Sequence, residues 1–77
     1  TPMYYACQNG NEVVVKYLYE HGADINTENK YTVTPLFFAC YNGNVAVVKY
    51  LVEHGADINK TNSNGTTPFF YACESGN

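Results

Sequence analysis

The sequence predicts an all-α repeat solenoid, and two observations indicate that fold. Residues 1–33 (the first copy) align without a gap on residues 34–66 (the second copy), and twenty of the 33 aligned pairs are identical. A third copy starts at residue 67 and continues to residue 77. Within each copy, apolar residues recur at helical spacing in two short runs separated by a glycine. Such units predict a stacked array, because two short helices bury little apolar surface unless a neighbouring unit covers them.

Each copy is predicted to begin with a short helix that opens on Thr-Pro. Thr caps free N–H groups at a helix start, and Pro suits the first helical position. Gly43 is predicted to end the helix in the second copy. Between these signals, three apolar residues share one helical face in each copy: Leu36, Ala39 and Cys40, equivalent to Met3, Ala6 and Cys7 and to Phe69, Ala72 and Cys73.

A second helix is predicted to follow, with Asn44 as its N-cap. Its end is predicted at Gly55, since glycine adopts the left-handed conformation that closes a last turn, and His54 suits the negative end of the helix dipole. The unit is therefore helix, tight turn, helix and extended loop. The apolar stripe of this second helix consists of Val47, Val48, Leu51 and Val52.

Composition argues against nucleic-acid and membrane partners. The net charge is −3, and the chain has four Lys and no Arg. Nucleic-acid binding requires clustered cations, whereas these lysines are dispersed along the chain. No apolar run approaches the roughly 20 residues of a membrane-spanning helix. The chain opens in the middle of its pattern, without an initiator Met, so we expect it to be part of a longer protein or a processed product.

The three cysteines are expected to be core residues. Cys7, Cys40 and Cys73 occupy the same place in successive copies, on the apolar face of the first helix. An odd number argues against a disulfide framework, and neither CxxC nor a Cys/His cluster at zinc spacing occurs. We expect no metal and no other cofactor. Three unpaired thiols predict a reducing, intracellular compartment, cytoplasmic or nuclear.

No constellation of catalytic residues is predicted. His21 and His54 recur one copy apart, as do Asp24 and Asp57, so neither pair is expected to converge on a metal or a substrate. The serines and threonines have no nucleophile context such as GxSxG. The sequence therefore predicts that this segment is not an enzyme, although a longer parent protein could carry catalytic domains.

Residues 34–59, TPLFFACYNGNVAVVKYLVEHGADIN, resemble an ankyrin repeat. The resemblance rests on Thr-Pro-Leu, the paired small residues, Val-Val, the Gly-Ala-Asp-x-Asn segment and the 33-residue period. It covers the whole chain as repeats 1–33 and 34–66 and the opening third of another, 67–77. It implies a single right-stacked array of helix-turn-helix units with hairpin-like loops. It also implies non-covalent binding of a protein partner through the loop tips and the concave helix faces.

The chain departs from the ankyrin pattern where the family usually has His after Thr-Pro-Leu. In the family that His holds the loop through hydrogen bonds, and here Tyr4, Phe37 and Phe70 take its place. The resemblance also implies that Asp24 and Asp57 hold the loops by hydrogen bonds.

The first loop tip departs as well. It has Tyr31-Thr32 where the second loop has Asn64-Gly65, the turn that is usual in the family. Because a β-branched residue disfavours positive φ, we expect the first loop to bend differently from the second.

Positions at which the copies differ are the candidates for partner binding. Scaffold positions must match for units to stack, whereas recognition positions are free to vary, although neutral drift also produces variation. Tyr31 and Tyr41 break the repeat, and the resemblance places them at the concave groove. Tyr is enriched at binding hot spots, but single exposed aromatics are also ordinary. The candidates, which include two histidines at positions that often contact partners in the family, are Gln8, His21, Lys30, Tyr31, Val33, Tyr41, His54, Ser63, Asn64, Thr66 and Glu74.

An alternative function is a self-associating structural fragment of a longer array. Neither end carries the polar cap that outer repeats normally need, and the helix of Phe69, Phe70 and Tyr71 lacks its partner helix. Exposed apolar faces of this kind promote association. A homo-oligomer formed through the uncapped ends is therefore the competing hypothesis.

Overall fold

The predicted all-α architecture is confirmed. The computed structural model describes residues 2–74, with side chains described from Pro2 to Tyr71. In this range the regular elements are five α-helices, and no strand occurs. The helices are α1 (Pro2–Asn9), α2 (Glu12–Glu20), α3 (Pro35–Tyr41), α4 (Val45–Glu53) and α5 (Pro68–Glu74).

The helices form two layers that follow the sequence period. In the layer that we call inner, α1 packs on α3 and α3 packs on α5. In the outer layer α2 packs on α4, and each outer helix also packs on the inner helix that precedes it. Helices of seven to nine residues are too short to be stable alone in water, so their stability comes from these contacts.

The core lies between the two layers and consists mainly of the predicted faces of the first two copies, whereas Phe69 of the third copy is exposed. Leu36, Ala39 and Cys40 of α3 are fully buried, as are Val47 and Leu51 of α4. Met3, Ala6 and Cys7 of α1 are buried equivalently. The predicted stripe of α4 is too wide, however. Val48 is half-buried and Val52 is exposed, because the packed face of a short helix covers only part of its circumference.

Glycine ends the inner helices as predicted. Gly43 after α3 has φ of 69°, and Gly10 after α1 has φ of 71°. At Gly10 a side chain is also excluded by space, since a Cβ there would lie 2.6 Å from the side-chain oxygen of Asn44. The first copy therefore approaches the second too closely at this turn for any larger residue.

Two predicted N-cap residues occupy the predicted positions, but their side chains do not make the expected capping hydrogen bonds. Thr34 occupies the N-cap of α3, but its buried side chain makes no capping hydrogen bond. Its carbonyl instead accepts from the N–H of Phe37, 3.0 Å away. Asn44 occupies the N-cap of α4, and its amide is directed to the preceding copy, where it donates to the Cys7 carbonyl at 3.2 Å. The equivalent cap predicted at Thr1 lies outside the described residues.

The expectation that the first loop bends differently is wrong. Thr32 has φ of 58° and Gly65 has φ of 77°, so both tips use the left-handed region. The N–H of each donates to an Asn carbonyl three residues earlier, at 3.0 Å to Asn29 and 2.9 Å to Asn62. In the first loop the Asn29 side chain also accepts from the N–H groups of Tyr31 and Val33. These bonds hold Thr32 in a conformation that its side chain disfavours.

Within residues 2–74, no helix has both the length and the apolar character needed to cross a lipid bilayer.

Candidate functional site

An apolar groove lies between the inner layer and the loops. It has a volume of about 230 Å³. Rings from two neighbouring inner helices, α3 and α5, form most of its wall, and one residue from each loop completes it. The lining residues are Val33, Phe37, Phe38, Tyr41, Asn62 and Tyr71.

Tyr71 organises the rings of this groove. Its ring meets Tyr41 edge-on, with centroids 5.9 Å apart at 83°, and meets Phe37 at 6.1 Å and 64°. Edge-to-face packing of this kind is a favoured aromatic geometry. The Tyr71 hydroxyl accepts a hydrogen bond of 3.1 Å from the side-chain amide of Asn62, which ties α5 to the second loop. Tyr41 remains 64% exposed, so its ring is available to a partner.

The tips of the two loops are joined beside this groove. The backbone N–H of Ser63 donates to the Tyr31 carbonyl at 2.9 Å, and the Thr32 hydroxyl lies 3.2 Å from the Thr61 carbonyl. The Lys30 ammonium lies 5.2 Å from the centroid of the exposed Tyr31 ring, within the range of a cation–π contact. The two tips therefore form one continuous surface, which carries an aromatic ring and a cation.

The uncompensated charge of the loops is positive. The charged residues of residues 27–33 and 60–66 are Glu28, Lys30 and Lys60. The Lys60 ammonium lies 2.8 Å from the Glu28 carboxylate, and the hydrogen bond and charge of Glu28 raise the pKa of Lys60. Lys30 makes no ion pair with a described residue. Of the three charged loop residues, Lys30 therefore contributes a positive charge that no described carboxylate neutralises.

The structure brings some of the predicted binding residues together and separates others. Val33 and Tyr41 meet in the groove, and Lys30, Tyr31 and Ser63 meet at the joined tips. Asn64 is exposed at the second tip, Thr66 is half-buried in the same loop, and Gln8 is exposed near the end of α1. The side chain of Glu74 lies outside the described residues.

The two histidines lie at the ends of the outer-layer helices and are not among the residues that line the groove. Nδ1 of His21 is 2.8 Å from the Tyr17 carbonyl, and Nδ1 of His54 is 2.8 Å from the Tyr50 carbonyl. Because a carbonyl only accepts, Nδ1 carries the proton in both rings. Each imidazole also stacks at 4.0 Å on the tyrosine to which it bonds. Their predicted position at helix C-termini is confirmed, and neither histidine lines the groove.

The described cysteines are core residues, as predicted. Cys7 and Cys40 are both 0% exposed and free. Burial raises the pKa of Cys7 to about 12 and that of Cys40 to about 11. Both thiols therefore remain protonated near neutral pH, and a thiol is a far weaker nucleophile than a thiolate. The side chain of Cys73 lies outside the described residues, and among the described residues no three His, Cys, Asp or Glu side chains are grouped to hold a metal.

The aspartates hold the loops, as the family resemblance implied. Asp24 accepts from the N–H of Asn26 at 2.8 Å, and Asp57 accepts from the N–H of Asn59 at 2.9 Å. These bonds turn the chain at the start of each extended loop. This turn directs Asn26 towards the next copy. There its side-chain amide donates to the Gly55 carbonyl, and its side-chain oxygen accepts from the Asp57 N–H.

Tyr4 has a role that the sequence reasoning missed. Its hydroxyl lies 3.0 Å from the Thr27 carbonyl and 2.8 Å from the Val33 carbonyl, at the two ends of the first loop. Burial of the hydroxyl raises its pKa. Tyr4 thus holds the loop from the position where ankyrin repeats usually carry His. The sequence offered one signal for this role, since Tyr4 has a hydroxyl where the other two copies have Phe.

Comparison with known proteins decides the family. The family model described as ankyrin repeats (3 copies) matches residues 1–62 and 29–77. The chain belongs to the ankyrin repeat family. Ankyrin repeats are generally protein-interaction modules, and ankyrin repeat domains are typically non-catalytic.

A solved structure supports the same assignment. The crystal structure of the human ASB11 ankyrin repeat domain superposes with a TM-score of 0.95 at 37% sequence identity over 99% of this chain. The ankyrin array described here covers 34% of that chain, so it spans about a third of the length of its relative. No curated protein matches the sequence.

Proposed function

We propose that this ankyrin array is a non-catalytic module that binds a partner protein through the groove and the joined loop tips. The observation that carries the proposal is the position of Tyr41. It is 64% exposed at the edge of an apolar groove, and the first copy has Gln8 at the same place. An exposed aromatic at a position where the copies differ, beside a concave apolar surface, is typical of a binding hot spot.

The loop tips support the same surface. Tyr31 is 54% exposed and lies over the junction between the two loops, next to the unpaired Lys30. The second copy has Asn64 and Ser63 at these two positions, so neither residue is required by the turn. An exposed tyrosine that stacking does not explain is a feature of a recognition surface, and a lysine beside it adds charge that a partner can complement.

The described residues also favour binding over catalysis. The Cys7 and Cys40 thiols are protonated and buried, and each histidine uses Nδ1 to bond its own helix. We further propose that the chain forms one array with repeats at 1–33, 34–66 and 67–77, that its partner is not a nucleic acid, and that its free buried thiols belong in a reducing intracellular compartment.

The proposal is tested by site-specific photo-crosslinking in cells of the source organism. p-Benzoylphenylalanine replaces Tyr31, Tyr41 or Tyr17 in turn, and adducts are identified by mass spectrometry. Tyr17 is the matched control, because it is 60% exposed but lies on the outer layer. We expect the same protein to be crosslinked from positions 31 and 41 and not from 17. Equal adducts from all three positions, or none from any, would contradict the proposal.

Self-association is the second candidate, and one observation favours it. Tyr5, Val14 and Tyr17 are exposed in the first copy. Of their equivalents in the second copy, Val47 is buried, and Phe38 and Tyr50 are half-buried against rings of the first copy. A second chain could cover the first set. Light scattering discriminates the two proposals: a species of 8.6 kDa supports binding as a monomer, and a concentration-dependent dimer or larger species supports self-association.

A further inference from the structure

We propose that the groove binds one large apolar side chain of an extended peptide and that Lys30 binds a carboxylate a few residues away in the same peptide. This inference rests on the proposed binding function and specifies the chemistry of the partner. It depends on the size of the groove, the free donors at its edge and the charge of the loop beside it.

The groove has room for a large side chain. Its volume is about 230 Å³, and its lining consists of four aromatic residues, one valine and one asparagine. An enclosed apolar cavity of about 150 Å³ is sufficient to hold benzene. A leucine, methionine or aromatic side chain therefore fits the space, and it would cover the rings of Tyr41 and Tyr71 that face it.

The rim of the groove offers hydrogen-bond donors that suit a peptide backbone. The Tyr71 hydroxyl accepts from Asn62, which leaves its own proton free to donate. The Tyr41 hydroxyl makes no hydrogen bond to a described residue. A peptide that buries a side chain here must also satisfy its nearby backbone carbonyls, and phenolic hydroxyls at the rim provide for them.

The charge of the site selects an acidic partner residue. The groove lining carries no charged side chain, and Glu28 and Lys60 neutralise each other at 2.8 Å. Lys30 is exposed and unpaired in the same loop as Val33, which lines the groove. A carboxylate that approaches Lys30 therefore meets complementary charge on that side of the groove.

The length of the loop limits the spacing in the partner. Lys30 and Val33 are three positions apart, and three steps along the chain span at most about 11 Å. An extended peptide advances about 3.3 Å per residue. We therefore expect the acidic residue to lie within about four residues of the apolar one, always on the side that faces the first loop.

The probe is a phage-displayed library of random dodecapeptides, selected on the purified 77-residue chain. Enriched sequences should combine Leu, Met, Phe or Trp with Asp or Glu at a separation of one to four residues. Enrichment of apolar peptides without an acidic residue, or with Lys or Arg in its place, would overturn the inference.

The binding residues are then tested with one enriched peptide, labelled with fluorescein and titrated by fluorescence anisotropy. Tyr41→Ala should weaken binding at least tenfold, whereas Tyr17→Ala, which removes an equally exposed ring from the outer layer, should change Kd less than twofold. Circular dichroism confirms that each variant keeps its helices. Equal effects of the two substitutions would contradict binding in the groove.

A charge swap tests the role of Lys30 directly. Lys30→Glu should raise the Kd for the acidic peptide at least tenfold. The same variant should bind a peptide in which Lys replaces the Asp more tightly than the wild type does. Lys49→Glu is the matched control, because Lys49 is exposed on α4 and makes no ion pair with a described residue. This substitution should leave the Kd values for both peptides unchanged.

The outcomes separate this inference from the proposed function. A protein crosslinked from positions 31 and 41, combined with no enriched peptide or with peptides insensitive to Tyr41→Ala and Lys30→Glu, overturns the inference and leaves the binding function standing. Failure of both the crosslinking and the selection overturns both.

Discussion

The first loop, residues 27–33, and the second loop, residues 60–66, follow the same turn although their tips have different residues. Both are closed by the N–H of an Asn that donates to a carbonyl four residues later, at 3.1 Å from Asn29 to Val33 and 2.9 Å from Asn62 to Thr66. Both place their sixth residue at positive φ, but that residue is Thr32 in one loop and Gly65 in the other.

The loops differ in the side chain that holds them to the helices. The first is held by Tyr4, from the inner helix of its own copy, and the second by Tyr71, from the inner helix of the next copy. Phe37, which is equivalent to Tyr4, has no hydroxyl to offer the second loop. The comparison indicates that the Asn in the turn sets the backbone, while the anchoring hydroxyl can come from either neighbouring helix.

Removing the Tyr4 hydroxyl should have the largest effect. Tyr4→Phe leaves the Thr27 carbonyl without its hydroxyl donor and removes one of the two donors of the Val33 carbonyl, and a partly buried polar group that loses its partner costs about 1–3 kcal/mol. We expect the free energy of unfolding in urea, followed by circular dichroism at 222 nm, to fall by that amount. Tyr5→Phe is the control, since Tyr5 is 68% exposed. An equal loss in both variants would contradict the anchoring role.

The same anchor predicts a pH dependence. Burial raises the pKa of Tyr4 above 10.0, so the unfolded chain ionises before the folded one. The stabilisation from Tyr4 is fully present below pH 10.0 and is lost as the pH rises through the folded pKa. Urea titrations between pH 9 and 11.5 should show the wild type losing more stability than Tyr4→Phe. Parallel curves would contradict this.

Placing a β-branched residue in the second loop should have the next largest effect. Gly65→Thr reproduces the tip of the first loop, and no atom lies within 4 Å of the added Cβ, so its cost comes from the backbone alone. A left-handed conformation costs a non-glycine residue about 1–2 kcal/mol. Thermal unfolding should show a loss of that size. The control is Ser63→Thr, at an exposed position of ordinary φ, and a similar loss there would remove the backbone explanation.

Removing the Tyr71 hydroxyl should weaken the second loop by less than the Tyr4 change weakens the first. Tyr71→Phe removes one hydrogen bond, to the side-chain amide of Asn62, and a typical bond contributes about 0.5–1.5 kcal/mol. The amide is only partly buried and can bond water instead. Hydrogen exchange should show faster exchange at the N–H groups of residues 62–66 and unchanged exchange at 29–33. Faster exchange in both loops would contradict separate anchoring.

Relieving the strained tip of the first loop should have the smallest effect, and it should be stabilising. Thr32→Gly removes the cost of φ at 58°, but it also removes the hydroxyl that lies near the Tyr31 and Thr61 carbonyls and adds freedom to the unfolded chain. We expect a gain below about 1 kcal/mol in urea unfolding. A loss would show that the hydroxyl contributes more than the strain costs.

The helices and most of the core could be predicted because they depend on local spacing. Thr-Pro, Gly43 and the i, i+3, i+4 pattern of Leu36, Ala39 and Cys40 fix the order and bounds of the elements. The conformation at Thr32 could not be predicted in this way. The preference of a single Thr points away from positive φ, and hydrogen bonds that depend on the folded loop, including those of the Asn29 side chain, outweigh that preference.

The groove could be predicted in part. Tyr41 was found because it breaks the repeat, which is a property of the sequence. The contribution of Asn62 and Tyr71 was not found, because a hydrogen bond between a loop and the next helix depends on how the copies stack. The histidines were expected near this surface, yet the structure shows that they end outer-layer helices.

The asparagines at the turn between helices have a consequence for how such units join. Asn42 and Asn44 donate to the carbonyls of Gln8 and Cys7, which have no hydrogen-bond partner within α1 because they lie at its C-terminal end. The donors belong to the later copy and the acceptors to the earlier one. The contact between copies therefore has a direction. In a copy stacked in the reverse orientation, these side-chain amides would not meet the helix-end carbonyls, so the hydrogen bonds favour one direction of stacking along the array.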